Sequence, residues 1–417
     1  MVAVTTDSTA ATGSAASLEA LDTARVVLVG VRPAGDVLAD VRRRRYLHSG
    51  PPIALPDLPG PMRGALVGAL LLEEEASTPA EAAAIVDAGE VELVPSHHAS
   101  AAGAMAGIVT PRMPGVVARV DGRTVYSPLN EGIGQALRFG SYDEATLARL
   151  RWICSVAGPL LDGAIRATEE LELCELVAEG LRRGDECHNR NVATSAMLVA
   201  RLAPALVRGA ADREDVAALL EYAAGNRHFA LPFAIAAAKG ATLAAHGIAG
   251  SPIVTAMAGN GRQFGIRVSG LGDRWFLAGA PLGEPRLFDG FSASDATPTM
   301  GDSMITETAG WGAFALVAAP AITSFIGGTA ATSARLVEEM RGLCAGTSRR
   351  MLVPADEFRG TPIGIDVHRV RDMGVAPIIN NGMAHREAGR GQVGAGITRL
   401  PLEPFVEASR ALEAGGR

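Results

Sequence analysis

A long stretch of helical pattern in the middle of the chain limits what this sequence can fold into. From Tyr142 to about Ala224, apolar residues recur at spacings of three and four in one segment after another, which is the repeat of one buried face of an α-helix. Another apolar helical segment, Phe229 to Ala245, closes the stretch. We therefore predict a helical domain over residues 142–250.

Strand patterns lie on both sides of this helical region. Arg25 to Val31 is a short apolar run that ends in a glycine- and proline-rich loop, and Gly115 to Val120 turns through DGR into Thr124 to Tyr126, which is typical of a hairpin. Beyond the helical region, short strand and helix patterns alternate irregularly. The sequence predicts a multidomain α+β fold in which mixed-sheet α/β regions flank the helical domain, namely an N-terminal α/β domain over 24–141 and a C-terminal α+β domain over 251–417.

Composition restricts the environment and the partners of the chain. With 48% hydrophobic residues, 20% charged residues and a net charge of −7, it is typical of a globular protein and lacks the basic surface that nucleic-acid binding requires. Its four cysteines are scattered, which argues against disulfides and a thiolate zinc site, and no apolar run reaches the ~18 residues of a membrane span. We expect a cytoplasmic protein, no membrane segment, and a disordered tail over residues 1–23, which are rich in small residues.

The densest polar cluster is the segment GDECHNRN, between two helical patterns. A helix start needs only one Asn or Asp as its cap, whereas this segment offers acids, an imidazole, a guanidinium and amides together. A polar turn is the alternative interpretation. The predicted catalytic residues here are Asp185, Glu186 and His188, and the predicted substrate-binding residues are Asn189, Arg190 and Asn191.

Lys239 is the only lysine among the 38 basic residues of the chain. It lies in AIAAAKGATLAA, where its ammonium either extends to solvent or meets a partner in the interior. A lysine half-buried among small residues can have a lowered pKa or bind a phosphate. We predict that Lys239 binds substrate, with a purely structural role as the alternative.

Two histidines and one turn supply further candidates. His97 and His98 stand at a predicted strand end, before the small-residue loop ASAAGAMAG, which lets backbone amides approach a ligand. Both are predicted catalytic residues, but neighbours on a strand point to opposite sides, so we expect at most one to face a shared site. Asn130 and Glu131 follow the hairpin and are predicted to bind substrate, although an ordinary turn has the same composition.

Arginines framed by glycines indicate a small anionic substrate. The segment AGNGRQFGIRVSGLGDRW suits phosphate or carboxylate, and its glycine spacing is that of neither a dinucleotide-binding loop nor a P-loop. The predicted substrate-binding residues here are Asn260, Arg267, Asp273 and Arg274, with Arg63 of the GPMRG loop as a further candidate.

The segment GDSMITETAG opens a helix predicted over Thr306 to Ala319. Capping accounts for Asp302 but not for Glu307, which points toward an apolar helix. We predict that both acids contact substrate.

Metal binding is a separate alternative. His97, His98, Asp185, Glu186 and His188 include ligand types that zinc or manganese accepts, but no HExxH or HxH spacing occurs. We assign no metal ligand and no required cofactor, and keep a divalent metal only as the alternative.

Several segments, in order along the chain, resemble the blocks of a known bacterial family. They are HSGPPI with GPMRGA, PSHHASAAGAMAGIVTPRMP, LNEGIGQALRFG, GDECHNRNVATS, NGRQFGIRVSGLGDRWF, GDSMITETAGWGAFA, FRGTPIGIDV and GQVGAGI. The family, long known only as a domain of unknown function, includes a subunit of oxamate carbamoyltransferase, and the resemblance covers nearly the whole chain. Family sequences carry a further strand–helix–strand segment before the strand at Arg25 to Val31, where this chain has its polar tail.

The resemblance implies an enzyme of allantoin and purine nitrogen metabolism that transfers a carbamoyl group between carbamoyl phosphate and a small amide acid, as in oxamate or oxalurate chemistry. It also implies FdrA-like and other carbamoyltransferase subunits as partners, a multidomain α+β fold, and a lysine in the alanine run that holds Lys239. We further expect a homo-oligomer. Two interpretations stay open beside it: a metal-dependent hydrolase or lyase acting on a small amide, and a non-catalytic subunit of an FdrA-type complex.

Carbamoyl transfer needs cations for phosphate and carboxylate, donors at the carbamoyl oxygen, and a base for a poor amide nucleophile. The predicted anion-binding residues are Arg63, Arg190, Lys239, Arg267 and Arg274; the base or carbonyl donor is His188, His97 or His98; and Asn130, Asn189, Asn191 and Asn260 are predicted to bind amide groups.

Overall fold

The computed structural model describes residues 4–132, 134–209, 212–284, 286–325 and 328–415. Its helices are α1 Val4–Thr23, α2 Gly60–Leu72, α3 Pro79–Asp87, α4 Glu144–Trp152, α5 Gly158–Arg166, α6 Leu173–Arg182, α7 Val192–Gly209, α8 Arg213–Gly225, α9 Leu231–Ala244, α10 Ile305–Thr308, α11 Pro320–Phe325, α12 Ala330–Leu343, α13 Val367–Met373 and α14 Glu403–Gly415. Its strands are β1 Val27–Pro33, β2 Arg45–His48, β3 Glu92–Pro95, β4 Pro114–Val120, β5 Arg123–Pro128, β6 Val254–Asn260, β7 Gln263–Val268, β8 Phe276–Gly279, β9 Arg286–Leu287, β10 Met300–Gly301, β11 Cys344–Val353, β12 Arg359–Ile365, β13 Ile378–Ala384 and β14 Gln392–Arg399.

The strands of the described residues form five small sheets. Their orders are β1-β4-β5, β10-β6-β7-β8, β13-β14-β9, β11-β12 and β2-β3. Only the β2-β3 pair is parallel among these ladders. Small, mostly antiparallel sheets that are separated by helices confirm the predicted multidomain α+β fold, while the three domain ranges stay a prediction.

Helix α9 lies at the centre of the core. Every residue from Leu231 to Thr242 is buried, and the helix packs against α1, α6, α10, β4 and β5. Its alanines and glycine allow close contact: a Cβ added at Gly240 would lie 2.6 Å from a methyl carbon of Val26. This tight packing carries Lys239 into the interior.

The N-terminal segment is a helix, so the predicted disordered tail over 1–23 is wrong for the part that the structure describes; residues 1–3 lie outside it. Leu18 and Leu21 of α1 pack against the largest core cluster. Ser17 donates a hydrogen bond to Oγ of Ser251 at 2.7 Å, and a Cβ added at Gly13 would lie 2.7 Å from the Ala249 carbonyl oxygen. The small residues that suggested disorder instead let the helix approach other backbone closely.

One helix of the described residues, α7, is long and apolar enough to cross a membrane by length and composition alone. Its apolar face, with Leu198, Leu202 and Leu206, is buried in the same core cluster as α9. The buried residues of α7 are confined to this one face, as in an amphipathic helix that packs against a core.

Candidate functional site

A cavity of about 100 Å³ lies beside the C-terminal half of α9. Its walls come from the turn after β3, from α9 and the residues that follow it, from β6 and β7, and from the loop after β7. Nitrogen-bearing side chains predominate in these walls, so the cavity suits an anion. Its polar lining consists of His97, His98, Ser100, Lys239, Thr242, His246, Thr255, Arg267 and Asp273.

Lys239 directs its ammonium toward this cavity. The residue is 3% exposed, and its Nζ lies 3.2 Å from Nδ1 of His97. Burial, followed by the charge of Arg267, lowers the pKa of Lys239 to about 7, against the opposing charge of Asp302. An amine with this pKa gains and loses its proton near neutral pH, so it can bind an anion or transfer a proton.

Arg267 on β7 is the second cation of the cavity. Its Nη1 donates to the carbonyl of His97 at 3.2 Å, its Nη2 lies 3.2 Å from Nε2 of His246, and it pairs with the exposed Asp273. Burial lowers the pKa of Arg267 to about 10. Its Nε is buried and has no partner among the described residues, which leaves one N–H available for an anion.

Both adjacent histidines line the cavity, although we expected only one to do so. They lie in a 3₁₀ turn, Ser96–Ala99, and not on the strand itself, so the alternation of a strand does not apply. Burial, with the charges of Lys239 and Arg267, lowers the pKa of His97 well below its usual value. His98 accepts a hydrogen bond from Nε1 of Trp275 at 2.8 Å.

Asp302 closes the inner side of this group. Its Oδ1 accepts from the amide of Gly50 at 2.7 Å and lies 3.7 Å from Nε2 of His97, and its Oδ2 accepts from the amide of Gly103 at 3.4 Å. Burial raises the pKa of Asp302 to about 7, although these two amides and Lys239 oppose the shift. Asp302 therefore holds the loops that contain Gly50 and Gly103 next to His97.

The GDECHNRN segment forms a second cluster. Asp185 caps α7 there: its Oδ1 accepts from the amide of Val192 at 3.0 Å, and its Oδ2 accepts from the amide of Thr194 at 2.7 Å. Arg190 donates from Nε to the carbonyl of Gly184 at 3.0 Å. These contacts fix the shape of the loop.

His188 and Glu307 form a buried pair in this cluster. Nδ1 of His188 lies 2.9 Å from Oε1 of Glu307. The same carboxylate accepts from the amides of Ala313 and Asn380, each at 3.0 Å, and from the hydroxyl of Thr306 at 2.9 Å. Burial by itself lowers the pKa of His188, but the charge and hydrogen bond of Glu307, together with the charge of Glu186, raise it overall. A histidine oriented by a carboxylate is suited to general acid–base chemistry.

Glu186 lies beside this pair with one unused oxygen. Its Oε1 accepts from the amide of Arg190 at 2.5 Å, while its Oε2 is buried and has no partner in the described part of the chain. Burial raises the pKa of Glu186 to about 8, against the charge of His188. The carboxyl is therefore largely protonated at neutral pH and can donate as well as accept.

A line of amide and imidazole contacts joins this cluster to Asn130. Asn189 donates to Oδ1 of Asn380 on β13 at 2.7 Å, and Nε2 of His228 lies 2.9 Å from the carbonyl of Asn189. Asn130 in turn donates to the carbonyl of His228 at 2.5 Å. Asn191 donates to the carbonyl of His188 at 2.7 Å. The structure thus brings together predicted residues from separate parts of the sequence.

Three predicted residues lie outside both clusters. Arg63 pairs with Asp87 at 2.7 Å, with both side chains partly exposed. The guanidinium of Arg274 lies 4.5 Å from the centre of the Phe276 ring. Asn260 accepts from two backbone amides of the turn between β6 and β7. The substrate roles of these three residues stay predictions.

The structure adds four residues that the sequence prediction missed: Arg138, His228, His246 and Asn380. His246 lines the cavity beside α9, and Arg138 pairs in the interior with Glu131, at 3.4 Å. A lone histidine or arginine in an apolar segment has no spacing that marks it. Asn380 had the clearest signal, as the first of two consecutive amides in the strand IINNGMA.

Within the described residues, no three His, Cys, Asp or Glu side chains come together in a group that could hold a metal ion. The ligand types noted in the sequence are divided between the two clusters, since His97 and His98 line the cavity beside α9 while His188 pairs with Glu307.

The fold and the two clusters define a multidomain α+β protein with a nitrogen-rich internal cavity and a separate buried histidine–glutamate pair. The chain belongs to the family of the oxamate carbamoyltransferase subunit AllG, whose sequence profile matches residues 91–303. It is 42% identical to "Oxamate carbamoyltransferase subunit AllG" of Escherichia coli (strain K12) over 407 residues, which are 96% of this chain and 97% of that protein.

Two further relatives support this membership. The "Uncharacterized protein YahG" of Escherichia coli (strain K12) is 37% identical over 394 residues, covering 94% of this chain and 84% of that protein. A crystal structure of a conserved protein of unknown function from Enterococcus faecalis V583 superimposes with a TM-score of 0.96 at 38% identity, covering 99% of this chain and all of that one. The family resemblance and the fold are confirmed.

Proposed function

We propose that this chain is a subunit of a carbamoyltransferase of the oxamate type and that the cavity beside α9 binds the phosphate of carbamoyl phosphate. The observation that carries the proposal is the joint presence of Lys239 and Arg267 in that cavity, each buried and each close to His97. Asp302 is the buried carboxylate nearest to them, and backbone amides engage both of its oxygens. Arg267 also pairs with the exposed Asp273, and we propose that a ligand anion entering the cavity replaces that carboxylate.

The reaction sets what such a site has to do. The amide nitrogen of the acceptor attacks the carbamoyl carbon, the bond between that carbon and the phosphate oxygen breaks, and phosphate leaves with the electron pair. The nitrogen loses one proton to a base. In reverse, phosphate attacks the carbamoyl carbon of oxalurate, and oxamate is the leaving group.

We assign the cations of the cavity to the phosphate. Lys239 and Arg267 stabilise the charge that builds on the leaving oxygen. Because Nδ1 of His97 accepts from Lys239, a neutral His97 carries its proton on Nε2, which faces the carboxylate of Asp302 at 3.7 Å, and we propose that this arrangement positions Lys239 for the phosphate. His188 is the proposed base, oriented by Glu307.

We also propose partner subunits. The printed name of the Escherichia coli relative calls that protein a subunit, which supports assembly of this chain with other carbamoyltransferase subunits, FdrA-like proteins among them, and with further copies of itself. A cytoplasmic location belongs to the same proposal, because carbamoyl phosphate and the free thiols of the four cysteines suit a reducing compartment.

The experiment is an assay of phosphate-dependent oxamate release from oxalurate, with the chain alone and with co-purified partners. Lys239→Met is compared with Arg166→Gln, which changes an exposed cation paired with Asp162 on α5. We expect activity that requires phosphate, resists chelators, and falls in the Lys239 variant only. Oxalurate breakdown without phosphate, or its loss with a chelator, would establish a hydrolase or a metal enzyme instead.

A further inference from the structure

A second cavity, of about 40 Å³, lies behind the loop that follows β3. Most of its walls are apolar, from α2, α4 and the ends of β4 and β5. Three polar side chains reach it, Asn130, Glu131 and Arg138, and they are 5%, 5% and 8% exposed. A mostly apolar space with a few convergent polar groups has the lining of a small-ligand site, and its small volume restricts a ligand to a few non-hydrogen atoms.

Arg138 is only partly satisfied in this space. Its Nη1 lies 3.4 Å from Oε2 of Glu131, a long contact for a charged pair. Its Nη2 is buried and has no hydrogen-bond partner in the described ranges. Leaving a buried charged donor unpaired is unfavourable, so a ligand group that accepts from Nη2 would complete the site.

The local charges favour a singly charged anion. Arg149 donates from Nη1 to the backbone carbonyl of Glu131 at 3.1 Å but does not line the cavity, so the charged groups of the walls are one guanidinium, Arg138, and one carboxylate, Glu131. A single guanidinium with one unpartnered nitrogen matches the carboxylate of a small acid better than a phosphate dianion. The apolar walls also disfavour an ion that keeps a large hydration shell.

Glu131 adds a second requirement. Asn130 is fully engaged, since its amide donates to the carbonyl of His228 and its oxygen accepts from Gly132 and Asn226. Both contacts from Arg138 to the Glu131 carboxylate are long, at 3.3 and 3.4 Å, which leaves oxygen lone pairs for another donor. Recognition therefore depends on one donor, Arg138, and one acceptor, Glu131.

We propose that this cavity binds a short monocarboxylate that also carries an N–H group, with Arg138 donating to the carboxylate and Glu131 accepting the N–H. A 2-oxo amide acid such as oxamate has this chemistry. Binding of this acid does not depend on the proposed function; only its identification as the carbamoyl acceptor rests on that proposal. The loop between the two cavities is shared: Gly103 donates to Asp302 beside the larger cavity, and Ala104 lines the smaller one.

The test is calorimetric titration of the full chain with oxamate, with pyruvate, which has no N–H, and with inorganic phosphate. Arg138→Gln removes the donor. Ala65→Val fills the cavity from α2, where Ala65 is fully buried, and leaves the Arg138–Glu131 pair in place, so it decides the question if the first variant does not fold. Lys239→Met is the matched control.

We expect oxamate to bind the unaltered chain and to bind each of the two cavity variants about tenfold more weakly or worse, equal to about 1.4 kcal/mol, with phosphate binding unchanged. Lys239→Met should show the opposite pattern, and pyruvate should bind more weakly than oxamate. No oxamate binding to the unaltered chain, or equal binding to the cavity variants, overturns the proposal; equal binding of pyruvate overturns the role of Glu131.

These results separate the inference from the proposed function, because binding does not require turnover. Arg138-dependent oxamate binding without carbamoyl transfer in any subunit mixture would remove the proposed function alone. If carbamoyl transfer occurs but neither cavity variant changes the affinity for oxamate, the inference alone is overturned.

Discussion

Nζ of Lys239 lies 3.2 Å from Nδ1 of His97 in the protein interior. Because the pKa of His97 is lowered well below its usual value, the imidazole is neutral and accepts from the ammonium. The charge of the pair resides on Lys239, whose own pKa, lowered to about 7 by burial and by Arg267, makes that charge dependent on pH near neutrality.

We expect anion affinity to follow the proton on Lys239. Sulfate, a phosphate analogue whose charge does not change near neutral pH, should bind the chain more weakly as pH rises through about 7. Lys239→Met should weaken sulfate binding by about tenfold or more, since a charge-assisted hydrogen bond contributes roughly 1.5–3 kcal/mol, and should reduce this pH dependence to the part that comes from Asp302, whose pKa is also about 7. Titrations at several pH values measure both effects. Arg166→Gln should match the unaltered chain, and an undiminished pH dependence in Lys239→Met would contradict the assignment.

Glu307 should be a large contributor to stability. Its carboxylate accepts from His188, Thr306 and the amides of Ala313 and Asn380, so Glu307→Ala leaves several buried donors unpaired. We expect a loss of about 3–5 kcal/mol in the free energy of unfolding, as for breaking a buried ion pair, measured by urea denaturation. Glu175→Ala, at an exposed position of α6, is the control and should change stability by about 0.5 kcal/mol at most.

His188 should affect chemistry more than binding. His188→Gln keeps a polar side chain beside Glu307 but removes the titrating ring, so kcat for carbamoyl transfer should fall by about 10²-fold or more, as for loss of a general base. KM for phosphate should stay within about twofold, because the phosphate ligands lie in the other cluster. A variant whose KM rises while kcat is unchanged would show that His188 contributes to substrate binding and is not the base.

The sequence predicted the elements whose pattern is local. The strand at Arg25 to Val31 appears as β1, and the DGR turn joins β4 to β5 as a hairpin. The helix predicted over Thr306 to Ala319 is instead α10 followed by a 3₁₀ segment, Gly312–Ala318. The cause is a pair of glycines with positive φ, Gly310 at 95° and Gly312 at 56°, which end the helix next to Glu307.

Site residues could be predicted where several polar residues share one segment, as in GDECHNRN. The partners that complete each cluster come from distant segments: Glu307 reaches His188, and Arg267 reaches His97, through the packing of α10 and β7. Periodicity contains no information about such pairings, and the small residues of α1 carry the same composition whether they are packed or disordered.

Asp22 tests whether α1 is part of the folded core. Its carboxylate accepts from the hydroxyl of Ser348 at 2.7 Å and from Nε of Arg349 at 2.8 Å, on β11. Asp22→Ala should lower the free energy of unfolding by about 1–3 kcal/mol, because it leaves the buried Ser348 hydroxyl without its acceptor. Thermal unfolding measures the change. A melting temperature equal to that of the unaltered chain would mean that α1 does not dock in solution.

Glu186 makes stability depend on pH in a direction that can be checked. Its pKa is about 8 in the folded chain and 4.5 as an unperturbed acid, so between these values the folded state holds more protons than the unfolded state, and stability must fall as pH rises from about 4.5 to about 8. The groups that face it are His188, Glu307 and the backbone amides of Arg190 and Asn189. Glu186→Gln keeps an acceptor for the Arg190 amide and removes the titrating group. As pH rises across this range, the free energy of unfolding should therefore fall more steeply for the unaltered chain than for the variant. Urea denaturation at a series of pH values measures the difference, and Glu175→Gln serves as the exposed control. A difference that does not change with pH would place the proton on another group.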